Sequence, residues 1–365
     1  MISSKSIKNN FRANGLTVII NTAFQLISVP IFLSYWGIDL YSDWIVLLSL
    51  TSYFAMSDIG LNTVTTNEFC ISYTQNKFKK CNTLFNNNLF FILIVFTVLF
   101  TVIVFFFSFV NLSTIFKLES INETTSETIV VCLAIQVFAG MVSGLFDAIY
   151  RATNRNSLGI MVNNYVRIFE NVLLIVGVLF NFNLITIILI YIIPRPVGLI
   201  FKVIKTQYYF PLSINLKYFD LKEFKSIVLP AFSFLLFPVG NSIVLQGFTL
   251  LVNFTLGSVA VVMYNTTRTL INFVKVGFGL INNSVWPELS LAYGRKDYAS
   301  MKNIHRYSVS ISFYFSLFAS FFMLIFGEYI YTNWTNNKLD FNMTLYICFL
   351  ITLVANTVWY TSSVV

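Results

Sequence analysis

The chain has 365 residues, 57% hydrophobic and only 10% charged, with a mean hydropathy of +0.76. A soluble globular domain carries about 25% charged residues, so a water-soluble protein with a large core is excluded. A net charge of +8 would suggest nucleic acid if the cations clustered. Here they are dispersed over short segments between apolar runs, and no nucleic-acid partner is expected.

Lys5, Lys8 and Arg12 precede the first apolar run. That order resembles a secretory signal, but the run is span-length and lacks a small-residue cleavage site, so it reads as a retained first helix. Further runs of about 20 apolar residues follow, the length that crosses a hydrocarbon core of about 30 Å as a helix. Ten spans are expected, at about 14–33, 42–64, 84–110, 129–150, 159–180, 183–202, 226–251, 255–283, 307–327 and 341–361. Lys and Arg collect on the cytoplasmic side of such spans. With the N-terminus inside, seventeen of the 23 cations fall in cytoplasmic segments, Lys202 among them, and only Lys117 and Lys338 lie outside. Arg167, Arg195, Arg268 and Lys275 remain within spans. Tyr35, Trp36, Tyr41 and Trp44 around the first outer turn read as an interfacial aromatic belt.

The longest cytoplasmic segment divides the chain into an N-terminal six-helix bundle (1–203), a linker (204–225) and a C-terminal bundle of about four helices (226–365). The halves match at an offset of 220 residues: Gly37 with Gly257, Asn62 with Asn282, Glu68 with Glu288. Six spans per repeat is even, so the two halves enter the membrane in the same sense. The expected fold is an all-α integral membrane protein of two pseudo-symmetric six-helix bundles, the second incomplete. The sixth span ends near Lys202 and its counterpart would end near position 422. The chain is therefore expected to lack two spans and to transport weakly alone.

An ionisable side chain within a span costs about 2.5–3.5 kcal/mol at the helix centre on insertion scales, so it needs a partner or a wet cavity. Arg268, Asn272, Lys275 and Gly279 are spaced 4, 3 and 4, one helix face, with no acid among them. They suit an anionic ligand, or are neutralised by Asp58 and Asp147. Asp58 shares a face with Thr51, Asn62 and Thr65, and reads as an ion-coupling carboxylate or as an ion-pair partner. Arg167 and Glu170 stand at i, i+3 and are expected to pair along one helix. Asp147, one turn before Arg151, reads as structural. Pro194-Arg195-Pro196 falls mid-span. Proline breaks the helical ladder, which leaves two readings: a cavity-lining break, or a kink with Arg195 snorkelling. Pro230 and Pro238 are expected to interrupt the seventh helix.

Cys70, Cys81, Cys132 and Cys348 lack metal-ligand spacing and read as small apolar fillers, and His305 is the one histidine. No metal site and no cofactor is expected. There is no Gly-rich phosphate loop, HExxH or GxSxG, and no large outer loop with catalytic charges. An enzyme is not expected.

The stretch Gln25-Leu-Ile-Ser-Val-Pro-Ile-Phe-Leu-Ser-Tyr-Trp-Gly37, with Leu40-Tyr41, Trp44 and Ser57-Asp58-Ile59-Gly60, resembles bacterial O-antigen and polysaccharide flippases. These are the Wzx-type lipopolysaccharide biosynthesis proteins of the MATE/oligosaccharide-flippase (MOP) superfamily. Phe237-Pro238-Val239-Gly240-Asn241, Gln246-Gly247, Thr267-Arg268-Thr269-Leu270, Pro287-Glu288-Leu289-Ser290 and Tyr293-Gly294 extend the resemblance over the second half. It implies alternating access in the bacterial inner membrane. The implied substrate is an oligosaccharide on undecaprenyl diphosphate, and the implied associates are membrane lipid, a glycan polymerase and assembly proteins. The expected substrate-binding residues are Arg268, Lys275, Asn272 and Arg195, with Asp58 for ion coupling or charge pairing. Such flippases have twelve spans, and this chain supplies ten. Two rivals remain: a drug/cation antiporter of the same superfamily, and a membrane glycan polymerase or ligase.

Overall fold

The computed structural model describes residues 4–55, 60–107, 109–294 and 297–362, with side chains except at 4–7, 229, 232–238 and 277–294. All regular structure among them is helical. The helices are α1 (Ser4–Tyr35), α2 (Gly37–Ser52), α3 (Leu61–Thr74), α4 (Phe78–Phe107), the single turn α5 (Leu112–Ile115), α6 (Glu123–Ala152) and α7 (Asn156–Leu179). There follow α8 (Leu184–Ile192), α9 (Pro194–Thr206), α10 (Leu221–Ser242), α11 (Phe248–Leu256), α12 (Ser258–Gly294), α13 (Tyr298–Trp334) and α14 (Met343–Ser362). Eight helical stretches among the described residues are long and apolar enough to cross a membrane, with α8–α9 one of them. Their outward faces fit that solvent: Ile94, Val98 and Phe105 on α4, and Phe318, Phe321 and Ile325 on α13, are all more than half exposed.

Three expected features fall differently. The second span is two helices, α2 ending at Ser52 and α3 opening after Gly60 at φ +71°. Its repeat partner α12 runs unbroken. The interruption of the seventh span lies at a π-helical turn, Ile243–Gly247, while α10 passes through Pro230 and Pro238 as helix. Tyr41 and Trp44 are buried, because α2 is covered from Tyr41 to Leu47. Trp44 meets Trp36 and Tyr191 edge-on, so only Tyr35 of that group is openly exposed. The 220-residue offset does recur in the backbone. Gly37 (φ +75°) opens α2 and Gly257 (φ +83°) opens α12, a left-handed conformation that glycine adopts at no steric cost.

The chain forms two compact units, Met1–Phe24 with Tyr35–Val261, and Gln25–Ser34 with Val262–Val365. The division does not fall at 204–225, because asparagines tie that segment to α4. Asn82 donates to Pro211 O and accepts from Ser213 N. Asn86 donates to Ser213 O and accepts from Asn215 N, and Asn87 makes both bonds with Asp220. One helical step of four residues rises about 6 Å, and two extended residues span about 6.6 Å. Asn82 and Asn86 therefore pair with the segment as a neighbouring strand would. Beyond it, Ile227 and Ala231 of α10 pack on Leu61, Val64 and Leu84.

Within the second unit, α13 packs on α14 and buries Ser308, Ser312, Ser316, Met323 and Gly327, of which Ser312 accepts from Thr361 of α14 at 3.0 Å. Small residues permit close helix approach in a membrane. Tyr346 lies over Gly327 and donates to Met323 O at 2.9 Å. The same unit repairs a defect in α1. Pro30 has no N–H, which leaves the carbonyl of Leu26 without its helical donor. Trp334 Nε1 donates to that oxygen at 2.7 Å, and Lys338 Nζ reaches Leu33 O at 3.4 Å. Trp334→Phe keeps the ring and removes the donor. It should cost about 1–2 kcal/mol, the penalty of an unsatisfied carbonyl, read as a lower thermal midpoint of the purified protein. An unchanged midpoint would mean that Leu26 needs no cap.

Candidate functional site

Polar residues recur at helical spacing on three helices of the first unit. α6 carries Gln136, Gly140, Ser143, Gly144 and Asp147; α7 carries Asn163, Arg167 and Glu170; α9 carries Arg195 and Lys202. Packing of α6 against α7 and α9 brings them to a cavity of about 180 Å³ lined by Gly140, Ser143, Gly144, Asp147, Asn163, Val166, Arg167 and Arg195.

Glu170, 3% exposed, pairs across helices and not with Arg167. Arg195 grips it through Nε (2.8 Å) and Nη2 (2.9 Å), and Gln136 Nε2 donates to the same carboxylate at 2.9 Å. A guanidinium matches a carboxylate fork for fork, so Arg195 points inward and does not snorkel. Pro194 starts α9 and Ile193 keeps helical angles, so the two prolines leave only a brief break.

Lys202 is wholly buried and belongs to the bundle, not to a cytoplasmic loop. Its ammonium donates to Asp147 Oδ1 (2.5 Å), Asn163 Oδ1 (2.9 Å) and Ser143 O (3.3 Å). Asn163 Nδ2 donates to the other Asp147 oxygen at 3.1 Å. Asp147 is thus paired with Lys202 rather than with Arg151. Arg167 donates from Nη1 to Asn21 Oδ1 at 2.9 Å and has no carboxylate within ion-pair distance among the described residues. Its charge is balanced by no acid in that set: three cations, Arg167, Arg195 and Lys202, face two carboxylates, Asp147 and Glu170.

In the second unit, Arg268, Asn272 and Lys275 share one face of the continuous α12. Asn272 and Lys275 are exposed and Arg268 is half-buried. Arg268 donates to Asn265, one turn earlier on the same helix, and its guanidinium lies 5.3 Å from the Tyr264 ring centre. Asp58 lies outside the described residues, as do Arg295 and Lys296 and the side chains of Asn282, Pro287 and Glu288. The cysteines form no disulfide, and no three His, Cys, Asp or Glu among the described residues gather as metal ligands would.

No family model and no curated protein matches the chain. Solved structures match. An inward-facing multidrug resistance MATE family transporter of the MOP superfamily is similar with TM-score 0.69 and 13% identity, over 93% of this chain and 78% of that one. A MOP superfamily transporter from Pyrococcus furiosus, for which a reverse polarity of the binding pocket suggests a different function, gives TM-score 0.59 and 14% identity over 98% and 85%. An aspartate-to-asparagine mutant of the Vibrio cholerae MATE transporter VcmN gives 0.58 and 16% over 99% and 86%. At such identities the likeness is one of fold. The chain is an all-helical, multi-pass membrane protein with the architecture of MATE-type transporters of the MOP superfamily.

Proposed function

We propose that the chain moves an undecaprenyl-diphosphate-linked oligosaccharide across the bacterial inner membrane by alternating access, with its N-terminus in the cytoplasm. The observation that carries this reading is the sign of the charge on the helices. Three cations meet two carboxylates in and beside the cavity of the first unit, and half-buried Arg268 and exposed Lys275 add two more cations on one face of α12. Charges inside a membrane mark substrate or ion pathways. An excess of cations attracts a diphosphate and repels a cationic drug, which separates this reading from antiport of drugs by the same fold; fold alone does not decide function. A reverse polarity of the pocket is also the property for which the Pyrococcus transporter is described. On this reading Arg268, Lys275, Asn272 and Arg195 contact the anionic substrate, and Asp58 couples an ion or balances charge. A periplasmic glycan polymerase and its assembly partners then use the exported unit.

Arg268→Ala and Lys275→Ala, expressed in a flippase-deletion strain, should each lower surface glycan at least tenfold without lowering protein level. A charge-assisted contact of about 1.5–3 kcal/mol accounts for that factor. Lys275→Arg should do less harm than Arg268→Lys, because a point charge is easier to replace than a planar fork. Export at parental rates by both alanine variants would overturn the reading.

A further inference from the structure

A second, apolar space adjoins the charged cavity. It is a groove of about 460 Å³ running along α7 and α9, lined on α7 by Val162, Tyr165, Val166, Phe169 and Leu173, and by Ile193 at the start of α9 with Pro194, Val197, Gly198 and Phe201 on it. Its rims are open: Phe169 is 57% and Val197 58% exposed. Its floor is the contact of the two helices. A Cβ on Gly198 would collide with Val166 Cγ2, so only glycine lets α9 come this close to α7. Val166 lines both spaces, and Arg167 and Arg195 directly follow groove residues Val166 and Pro194 in sequence.

We propose that this groove and the adjoining cavity form one site for a single-chain polyprenyl diphosphate, with the isoprenoid tail along α7–α9 and the diphosphate at Arg167. The choice of an isoprenoid rests on the transport reading above. Two observations support the assignment. The groove is apolar over its length, and burying hydrocarbon there releases about 0.8 kcal/mol per methylene if the chain comes from water. Within the bilayer that term largely cancels, so selectivity must come from the head. There the charge is complementary: Arg195 is held by Glu170 and Lys202 by Asp147, while Arg167 spends one nitrogen on Asn21 and makes no ion pair among the described residues. Val166, seated against Gly198, stands between tail and head.

The test uses the full chain in lipid nanodiscs, with three probes: undecaprenyl diphosphate, undecaprenol and dioleoyl phosphatidylglycerol. The parent should retain undecaprenyl diphosphate at least tenfold more tightly than phosphatidylglycerol. Val197→Trp fills the groove from an exposed position without touching the α7–α9 contact, and should weaken both isoprenoids at least tenfold. Arg167→Gln should weaken the diphosphate by a similar factor and leave undecaprenol unchanged. The proposal is overturned if Val197→Trp leaves both isoprenoids bound as before, or if phosphatidylglycerol binds as tightly as undecaprenyl diphosphate. Tight binding of the diphosphate that ignores Val197→Trp removes only this site. Failure of the parent to bind it at all removes the transport reading as well.

Discussion

Arg195→Leu is expected to cost about 3–5 kcal/mol of stability, the range found when one partner of a buried ion pair is removed. The asymmetry of the pair is the reason. Arg195 keeps 28% of its side chain exposed, whereas Glu170 keeps 3%. Without the guanidinium, the carboxylate stays buried with Gln136 as its one remaining hydrogen-bond donor among the described residues. The double variant Arg195→Leu/Glu170→Leu should recover most of the loss, since replacing both partners by apolar groups is often nearly neutral. The two residues touch, so their effects should be strongly non-additive. Thermal midpoints of the detergent-purified single and double variants read this directly. A double variant no more stable than Arg195→Leu would show that the pair is not what the structure describes.

Asn86→Leu is expected to have the next largest effect. The side chain has no exposed surface and satisfies Ser213 O and Asn215 N together. Leucine has a similar size and neither hydrogen-bonding group. Each of the two backbone groups left unpaired costs about 1–3 kcal/mol, so the clamp on 211–220 should loosen by about 2–6 kcal/mol. Limited trypsin digestion of the detergent-purified protein should then cut at Lys217 at least tenfold faster, with the transmembrane helices intact. An unchanged cleavage rate would mean that Asn82 and Asn87 hold the segment without it.

The helices were legible because a bilayer imposes a length: apolar runs of about 20 residues in the sequence reappear as α1, α4, α6, α7, α8–α9, α13 and α14. The Gly37 and Gly257 match was legible because both positions need a left-handed backbone. The Arg268, Asn272, Lys275 stripe was legible because all three residues lie on one unbroken helix. The cavity of the first unit was not. Along the chain Arg167 pairs with Glu170 and Asp147 reads as structural, whereas the fold pairs the two carboxylates across helices with Arg195 and Lys202. The spacing was a usable signal, since Arg195 and Lys202 are seven apart like Arg268 and Lys275. The asparagine clamp left no periodic trace, because its partner is an extended segment more than 120 residues away in sequence.

The central claim is that the excess of cations on the helices selects an anionic lipid-linked substrate, and transport by the reconstituted chain tests it most directly. Proteoliposomes would be loaded with a fluorescent undecaprenyl-diphosphate oligosaccharide in one leaflet, and in parallel with tetraethylammonium, a poorly permeant organic cation, in the lumen. The account predicts that the glycan headgroup becomes accessible to an impermeant lectin on the opposite face, at a rate lowered at least tenfold by Lys275→Ala, while the organic cation is retained as in protein-free liposomes. Ion-driven efflux of tetraethylammonium with no translocation of the lipid-linked glycan would contradict it.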